Sequence, residues 1–349
     1  MSLEAALEPP RVHGEPLGAG QLRTRPEDFL VEEHLGFAPA GAGQHVLLRV
    51  RKRDANTQWV ARELARICGC RPADVGYAGL KDRRAVAVQW FTVPRSRLSP
   101  GDWALVHGGE FEVLEAHPHS RKLPRGALAG NGFVIRVRAT DVADEPLASR
   151  LAAIGSRGVP NYFGPQRFGR DAGNLQRISG GLRALKPLER GFVLSAARSL
   201  LFNAVLAERL GDGSWEHLEP GDLACLDGRA SHFPVEAVDE TLAARCARLD
   251  IHPTGPLWGS GPPMSAGRVL ELERRIAAGF PDACELVAAA GMEQERRSLR
   301  LAVRELRWRR DPDATDCIIL EFRLSRGAYA TAVLRELFAL QGGYDESST

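Results

Sequence analysis

Asp82 sits in the run YAGLKDRRAVAVQWFTV, residues 77–93, with Lys81 before it and Arg83 and Arg84 after it. Positive neighbours favour the charged form of a carboxylate, whose ordinary pKa is about 3.9, so this acid is expected to be ionised at neutral pH. An ionised, positioned carboxylate is a nucleophile or a general base. The plainer reading of KDRR alone is a solvated turn. Three other segments shift the weight: PEDF at 26–29, the basic loop that leads into Asn131 and Phe133, and the aromatic NYFGPQRFG at 161–169. As a set they offer aromatic faces that stack an extruded base at about 1–3 kcal/mol each. An amide would read the base edge and arginines would hold phosphates. Each piece has an ordinary alternative: Phe29 and Phe133 as strand core, Asn131 after Gly130 as a turn residue, Arg167 and Arg170 as surface cover.

Other chemistries find less support. No GxxxxGK[ST] occurs, and no GxGxxG lies between a strand and a helix, which disfavours ATP and dinucleotides. His117 and His119 stand two apart without an acid or cysteine to complete a metal site, so no metal is expected. Ser195 lacks a GxSxG elbow and is better placed as a helix cap. Glu27 or Asp28 would serve as second acid in a base-excising hydrolase, where one of two carboxylates activates water. A catalytically silent RNA-binding or chaperone protein is a third class.

The elements that must hold these residues follow from pattern and size. A chain of 349 residues exceeds the single-core ceiling of roughly 250 to 300, so two domains or one domain with an insertion are expected. The net charge is only +2, but 42 of the 46 cations are Arg, whose planar fork suits phosphate and bases. An arginine-rich codon bias explains the excess equally well. Charge is segregated: residues 117–138 hold five cations and no acid, residues 296–310 seven cations against Glu305 alone, and residues 215–250 eight acids against three arginines. Such segregation is expected if only some surfaces meet a polyanion. Six cysteines without CxxC spacing are read as free thiols of a reducing cytoplasm. With no signal peptide pattern and no apolar run of about 18 residues, a soluble, unexported protein with no membrane partner is expected.

Alternation predicts strands at 29–35, 45–51, 85–93, 111–116 and 132–139. Thr57 is expected to cap a helix through Ile67 that ends at Gly69. From Asp144 helices dominate: one closed by Gly155 and Gly158, a long amphipathic one over 195–210, and one over 265–278. Strands return at 299–308 and 317–324, followed by a helix over 327–340. Strand-rich ends around a helix-rich middle predict an insertion, with the C-terminal strands rejoining the first sheet.

The strings PEDFLVEE, YAGLKDRRAVAVQWF, GNGFVIRVR, VPNYFGPQRFG, LSAARSLLFNAVLAERL and GAYATAVLREL, in this order over residues 22–344, resemble the TruD family of pseudouridine synthases, which modify uridine 13 of certain transfer RNAs. The resemblance implies an α+β fold. A catalytic domain with a mixed, largely antiparallel sheet, residues 1–157 and 302–349, would be interrupted by an inserted α/β TruD-specific domain, residues 158–301. It implies Asp82 as nucleophile, with Arg23 as its ion-pair partner where relatives usually carry lysine. Phe29, Asn131, Phe133 and Tyr329 would surround the target uridine. Tyr329 stands where relatives often have Phe, which adds a hydroxyl in need of a partner. The implied partner is transfer RNA and the implied state a monomer. No cofactor is implied, since uracil leaves as a stabilised anion and rejoins through carbon.

Overall fold

The computed structural model describes residues 7–95, 98–103, 105–182 and 185–341. The chain divides into two compact units. The sheet unit comprises Gly18–Val142, Arg304–Gly327 and the chain from Phe338. The helical unit comprises the chain up to Leu17, Ala143–Val303 and Ala328–Leu337.

In the sheet unit, seven main strands are β1 (Phe29–His34), β2 (His45–Arg53), β3 (Val86–Pro94), β4 (Phe111–His119), β5 (Gly130–Val137), β6 (Arg304–Asp311) and β7 (Ala314–Ser325). Their order is β6-β7-β5-β1-β3-β2-β4, with the short strand Gly76–Tyr77 also on β3. Every pair is antiparallel except β1 with β3, so the sheet is mixed and largely antiparallel. The C-terminal strands do rejoin the N-terminal sheet. Helix α1 (Thr57–Cys68) lies against this sheet, and its Val60 and Leu64 share a core with Leu48 and Val50 of β2 and Phe91 and Val93 of β3. Each fully buried aliphatic side chain contributes about 1.5–3 kcal/mol.

Register decides what the site is made of. Directly paired residues of neighbouring strands point to the same side. Val31 pairs with Ala87 and with Phe133, Lys52 with Ala87, Val50 with Gln89, and Phe133 with Phe322. With the two-residue period of strands, Phe29, Glu33, Lys52, Gln89, Asn131, Phe133 and Phe322 all share one sheet face. All seven are buried.

Around α2 (Pro187–Gly211), the helical unit gathers the helices Gly267–Ala278 and Pro281–Ala289 and a four-stranded antiparallel sheet. Within α2, Glu189–Gly211 is long and apolar enough to cross a membrane, but 72% of its most apolar window is buried. It is the core helix of this unit. Phe202, Ala204, Val205 and Leu206 are all buried, so the helix is enclosed on more sides than the single predicted stripe.

Several local expectations are corrected. Asn56, not Thr57, occupies the N-cap of α1, because the Thr57 hydroxyl is used elsewhere. Helix α2 begins at Pro187, two turns before Ser195, so Ser195 is no cap. Gly155 lies inside the helix Asp144–Arg157, which ends at Gly158 alone. The strand expected at 299–308 breaks where the chain passes between units, and Glu305 adopts φ 53° at a register shift in β6. The expected helix at 327–340 is only Ala330–Leu334. Phe338–Gln341 is a strand parallel to Gly18–Gln21, whose small side chains admit the buried Phe338 ring.

Candidate active site

Asp82 follows Gly79, Leu80 and Lys81 in the loop that precedes β3. Its side chain is 53% exposed, and its carboxylate accepts from Nη2 of Arg23. Two of the cations beside it in sequence go elsewhere: Lys81 Nζ reaches Glu33 Oε1 at 2.5 Å, and Arg83 pairs with Asp54 at 3.6 Å. Two of the cations expected around Asp82 thus turn to other carboxylates, while Arg23, 59 residues away in sequence, pairs with it. Arg23 has φ 55°, a left-handed backbone that costs a non-glycine residue about 1–2 kcal/mol. Strain of this kind clusters at functional positions.

The same guanidinium lies 4.2 Å over the ring of Phe29. Phe29 meets Phe133 edge to face at 6.0 Å, and Phe133 stacks on Phe322 at 5.4 Å. Asn131 lies two residues before Phe133 on the same face of β5, and its Oδ1 is buried without a partner. A buried unpaired carbonyl costs about 1–3 kcal/mol, which a bound N–H donor would relieve. Five of the six expected site residues are thus gathered within the sheet unit.

Tyr329 belongs to the helical unit. Its hydroxyl accepts from Arg167 Nη2 at 2.7 Å, while Arg167 Nη1 donates to Ser195 Oγ at 3.0 Å. Arg167 is therefore not surface cover, and the added hydroxyl has its partner. The loop carrying Arg167 is fixed by the buried Asn203 of α2, whose amide accepts from Phe163 N and donates to Phe163 O, both at 3.0 Å.

Pattern alone missed the residues that brace the Asp82 loop. Gln89 Nε2 donates to Gly79 O at 2.6 Å, and Thr57 Oγ1 donates to Gln89 Oε1 at 3.0 Å. Lys81 N donates to Thr57 Oγ1 at 3.0 Å, and Glu33 Oε2 accepts from Trp90 N at 3.0 Å. Lys52 Nζ donates to the carbonyl oxygens of Ala55 at 2.7 Å, Asp82 at 2.8 Å and Lys81 at 3.4 Å. Burial pushes the Lys52 ammonium down from 10.5 to about 8, against the pull of Asp82. A signal was present: Glu33, Lys52 and Gln89 each fall in the apolar inward phase of their strands.

The carboxylates considered for water activation are committed elsewhere. Asp28 is fully buried and accepts from Arg138 Nε at 2.9 Å and Nη2 at 2.6 Å. Glu27 pairs with Arg53 at 2.5 Å, which holds its carboxyl below the ordinary range. Beside the Asp82 loop, Arg125 lies 3.6 Å over the Tyr77 ring, and Arg121 and Lys122 are exposed. Gly76 permits this approach, since a Cβ there would meet the Leu123 carbonyl oxygen at 2.7 Å. The other basic stretch is mixed: Arg296, on Glu273 at 2.8 Å, and Arg300 are buried, whereas Arg304, Arg307 and Arg309 are exposed. Among the described residues no group of three His, Cys, Asp or Glu is placed to hold a metal ion.

A mixed, largely antiparallel sheet in one unit and a helix-rich second unit match the α+β fold expected of a pseudouridine synthase. The crystal structure of the putative tRNA pseudouridine synthase D of Methanosarcina mazei shares this fold, with a TM-score of 0.70 over 92% of this chain and 93% of that one at 23% identity. The family model for tRNA pseudouridine synthase D (TruD) matches residues 12–181 and 172–337. The tRNA pseudouridine synthase D of Nitrosococcus oceani is 47% identical, covering 93% of this chain and 92% of its own length. That of Methylococcus capsulatus is 45% identical, covering 94% and 93%. The chain belongs to the TruD family.

Proposed function

We infer that this protein isomerises uridine to pseudouridine in transfer RNA, at position 13, with Asp82 as the group that reaches the ribose. The observation that carries the reading is the double engagement of Arg23, which pairs with Asp82 and lies over Phe29. One side chain thereby ties the reactive carboxylate to an aromatic surface suited to a pyrimidine.

The target uridine must first leave its stack, at a cost of a few kcal/mol. The exposed cations Arg121, Lys122 and Arg125 supply phosphate contacts beside the loop. Asp82 then attacks C1′ or removes the C2′ proton. In either route the C1′–N1 bond breaks and uracil departs with the electron pair. Phe29 and Phe133 hold its plane, and the unpaired Asn131 Oδ1 accepts from its imide N–H. Carbon C5 bonds to C1′, either displacing the Asp82 oxygen from it or as Asp82 returns the proton to C2′; C5 then loses its proton, N1 gains one, and the carboxylate is regenerated. The atoms balance without a cofactor. The same reading takes residues 158–301 as a domain inserted into a catalytic chain of residues 1–157 and 302–349, and the enzyme as a cytoplasmic monomer.

The test is to incubate transfer RNA lacking the modification with wild type and Asp82→Asn, then map pseudouridine by chemical derivatisation and reverse transcription. Wild type is expected to give one stop, at position 13, with RNA mass unchanged, and the variant to be slower by at least about a thousand-fold. A variant as fast as wild type removes Asp82 from the chemistry. A stop at another position overturns the assignment of the site on the RNA, and loss of a base would mean hydrolysis.

A further inference from the structure

Lys52 is the feature that the reaction as described does not use. It lies at an inward position of β2, 0% exposed, below the loop that carries the carboxylate. Lysine has the most strongly hydrated cationic head of the side chains, so burying it without a carboxylate partner is unfavourable. Its three hydrogen bonds all go to main-chain carbonyl oxygens, two of them on Lys81 and Asp82 themselves.

We propose that Lys52 is a positioning residue for catalysis, which acts through the backbone of Asp82 to fix where its carboxylate stands. This rests on the reading of Asp82 as nucleophile. Arg23 holds the carboxylate, and Lys52 holds the same residue's main-chain carbonyl. Gln89 and Thr57 complete the clamp, so that Gly79, Lys81 and Asp82 are each tied to a buried side chain. Misplacement of a reacting group by about 1 Å costs on the order of a hundred-fold in rate.

The ammonium is needed in its charged form, because only –NH3+ offers three donors for three carbonyls. The charges that face it are Asp82 and Lys81 from the loop, Glu33 from β1 and Asp54 just beyond its own strand. Lys81 is paired with Glu33, Asp54 with Arg83 and Asp82 with Arg23. Since burial lowers the Lys52 pKa to about 8, the clamp loosens as pH rises through that value.

The experiment measures single-turnover rate and tRNA affinity from pH 6.5 to 9 for wild type, Lys52→Met and Lys52→Arg, with Asp82→Asn as control. Wild type is expected to lose about tenfold in rate by pH 9, with affinity constant. Lys52→Met is expected to be slower at pH 7 by about ten- to a hundred-fold, with affinity within about twofold and no alkaline limb of its own. Lys52→Arg, charged throughout, should recover part of the rate and keep it at pH 9. The proposal is overturned if wild type is flat to pH 9, if Lys52→Met keeps the wild-type limb, or if its rate stays within about twofold of wild type. Should Lys52→Met fail to fold by circular dichroism, the wild-type and Lys52→Arg profiles decide alone. An active Asp82→Asn would instead sink the reading of the nucleophile, whatever Lys52 does.

Discussion

Each unit buries a long cation completely, and the two are satisfied in opposite ways. In the helical unit, Arg209 at the end of α2 meets Asp222 at 2.6 and 3.1 Å, and Ser214 and His217 accept its other protons. Both side chains of that pair are 1% exposed or less. In the sheet unit Lys52 meets only carbonyl oxygens. A compensated buried pair fixes a chain path, here the turn from α2 into residues 212–222. A buried cation held by the backbone of a reactive loop carries an uncompensated desolvation cost, and its place beneath Asp82 accounts for its retention. The difference separates charges that serve the fold from charges that serve the site, and composition treats them alike.

The largest effect that would break this comparison is on stability. Arg209→Met leaves Asp222 buried without its cation and is expected to destabilise by about 3–5 kcal/mol. Urea unfolding of the two variants side by side checks this. Lys52→Met removes a charge that is unfavourable where it sits, while it leaves carbonyls unpaired at about 1–3 kcal/mol. The two changes offset each other, so its midpoint should move far less. Equal losses for both variants would erase the distinction.

The second prediction concerns pH and stability. In the folded protein the Lys52 pKa is about 8, against 10.5 ordinarily. Between these values the unfolded chain binds a proton that the native protein does not, so this group makes stability rise with pH. At about 1.4 kcal/mol per pH unit, the whole gain is about 3 kcal/mol, complete above pH 10.5 and absent below pH 8. The difference in unfolding free energy between wild type and Lys52→Met should therefore grow in favour of wild type across that window. A pH-independent difference would mean that the lysine titrates normally. Catalysis and stability then respond to alkali in opposite directions, as expected of a group retained for positioning.

Much of the site was legible because its motifs are local strings. PEDF, the KD turn and GNGF each place a side chain by two-residue periodicity or by a turn, and five of the six named residues lie in the sheet unit. What could not be read was long-range pairing. The nearest charges in sequence, Lys81 and Arg83, suggested themselves as partners of Asp82, yet tertiary structure gives them Glu33 and Asp54 and brings Arg23 from the preceding strand region. The basic run at 296–310 is only partly legible for the same reason, since charge counts do not distinguish Arg296, buried on Glu273, from the exposed Arg304, Arg307 and Arg309. Helix and strand limits failed where the chain crosses between units, at 303–304 and 337–338, because the chain leaves one set of pairing partners and takes up another there.

The smallest predicted effect asks on which side of the comparison Arg167 falls. Its guanidinium is shared between Ser195 Oγ, the Tyr329 hydroxyl and the face of Phe163 at 5.2 Å, a set with no carboxylate and no main-chain carbonyl of a reactive loop. Tyr329→Phe removes one neutral acceptor and leaves the ring, which is the part that would face a uracil. A lost hydrogen bond of this kind costs about 1 kcal/mol in stability. Because the ring is kept, the single-turnover rate should stay within about threefold of wild type. If stability falls by that amount while the rate holds, Arg167 belongs with Arg209 as a cation that orders its own unit. A rate loss of more than about tenfold at unchanged stability would place the Arg167–Tyr329 hydroxyl pair with Lys52 and make it part of the machinery that positions the base.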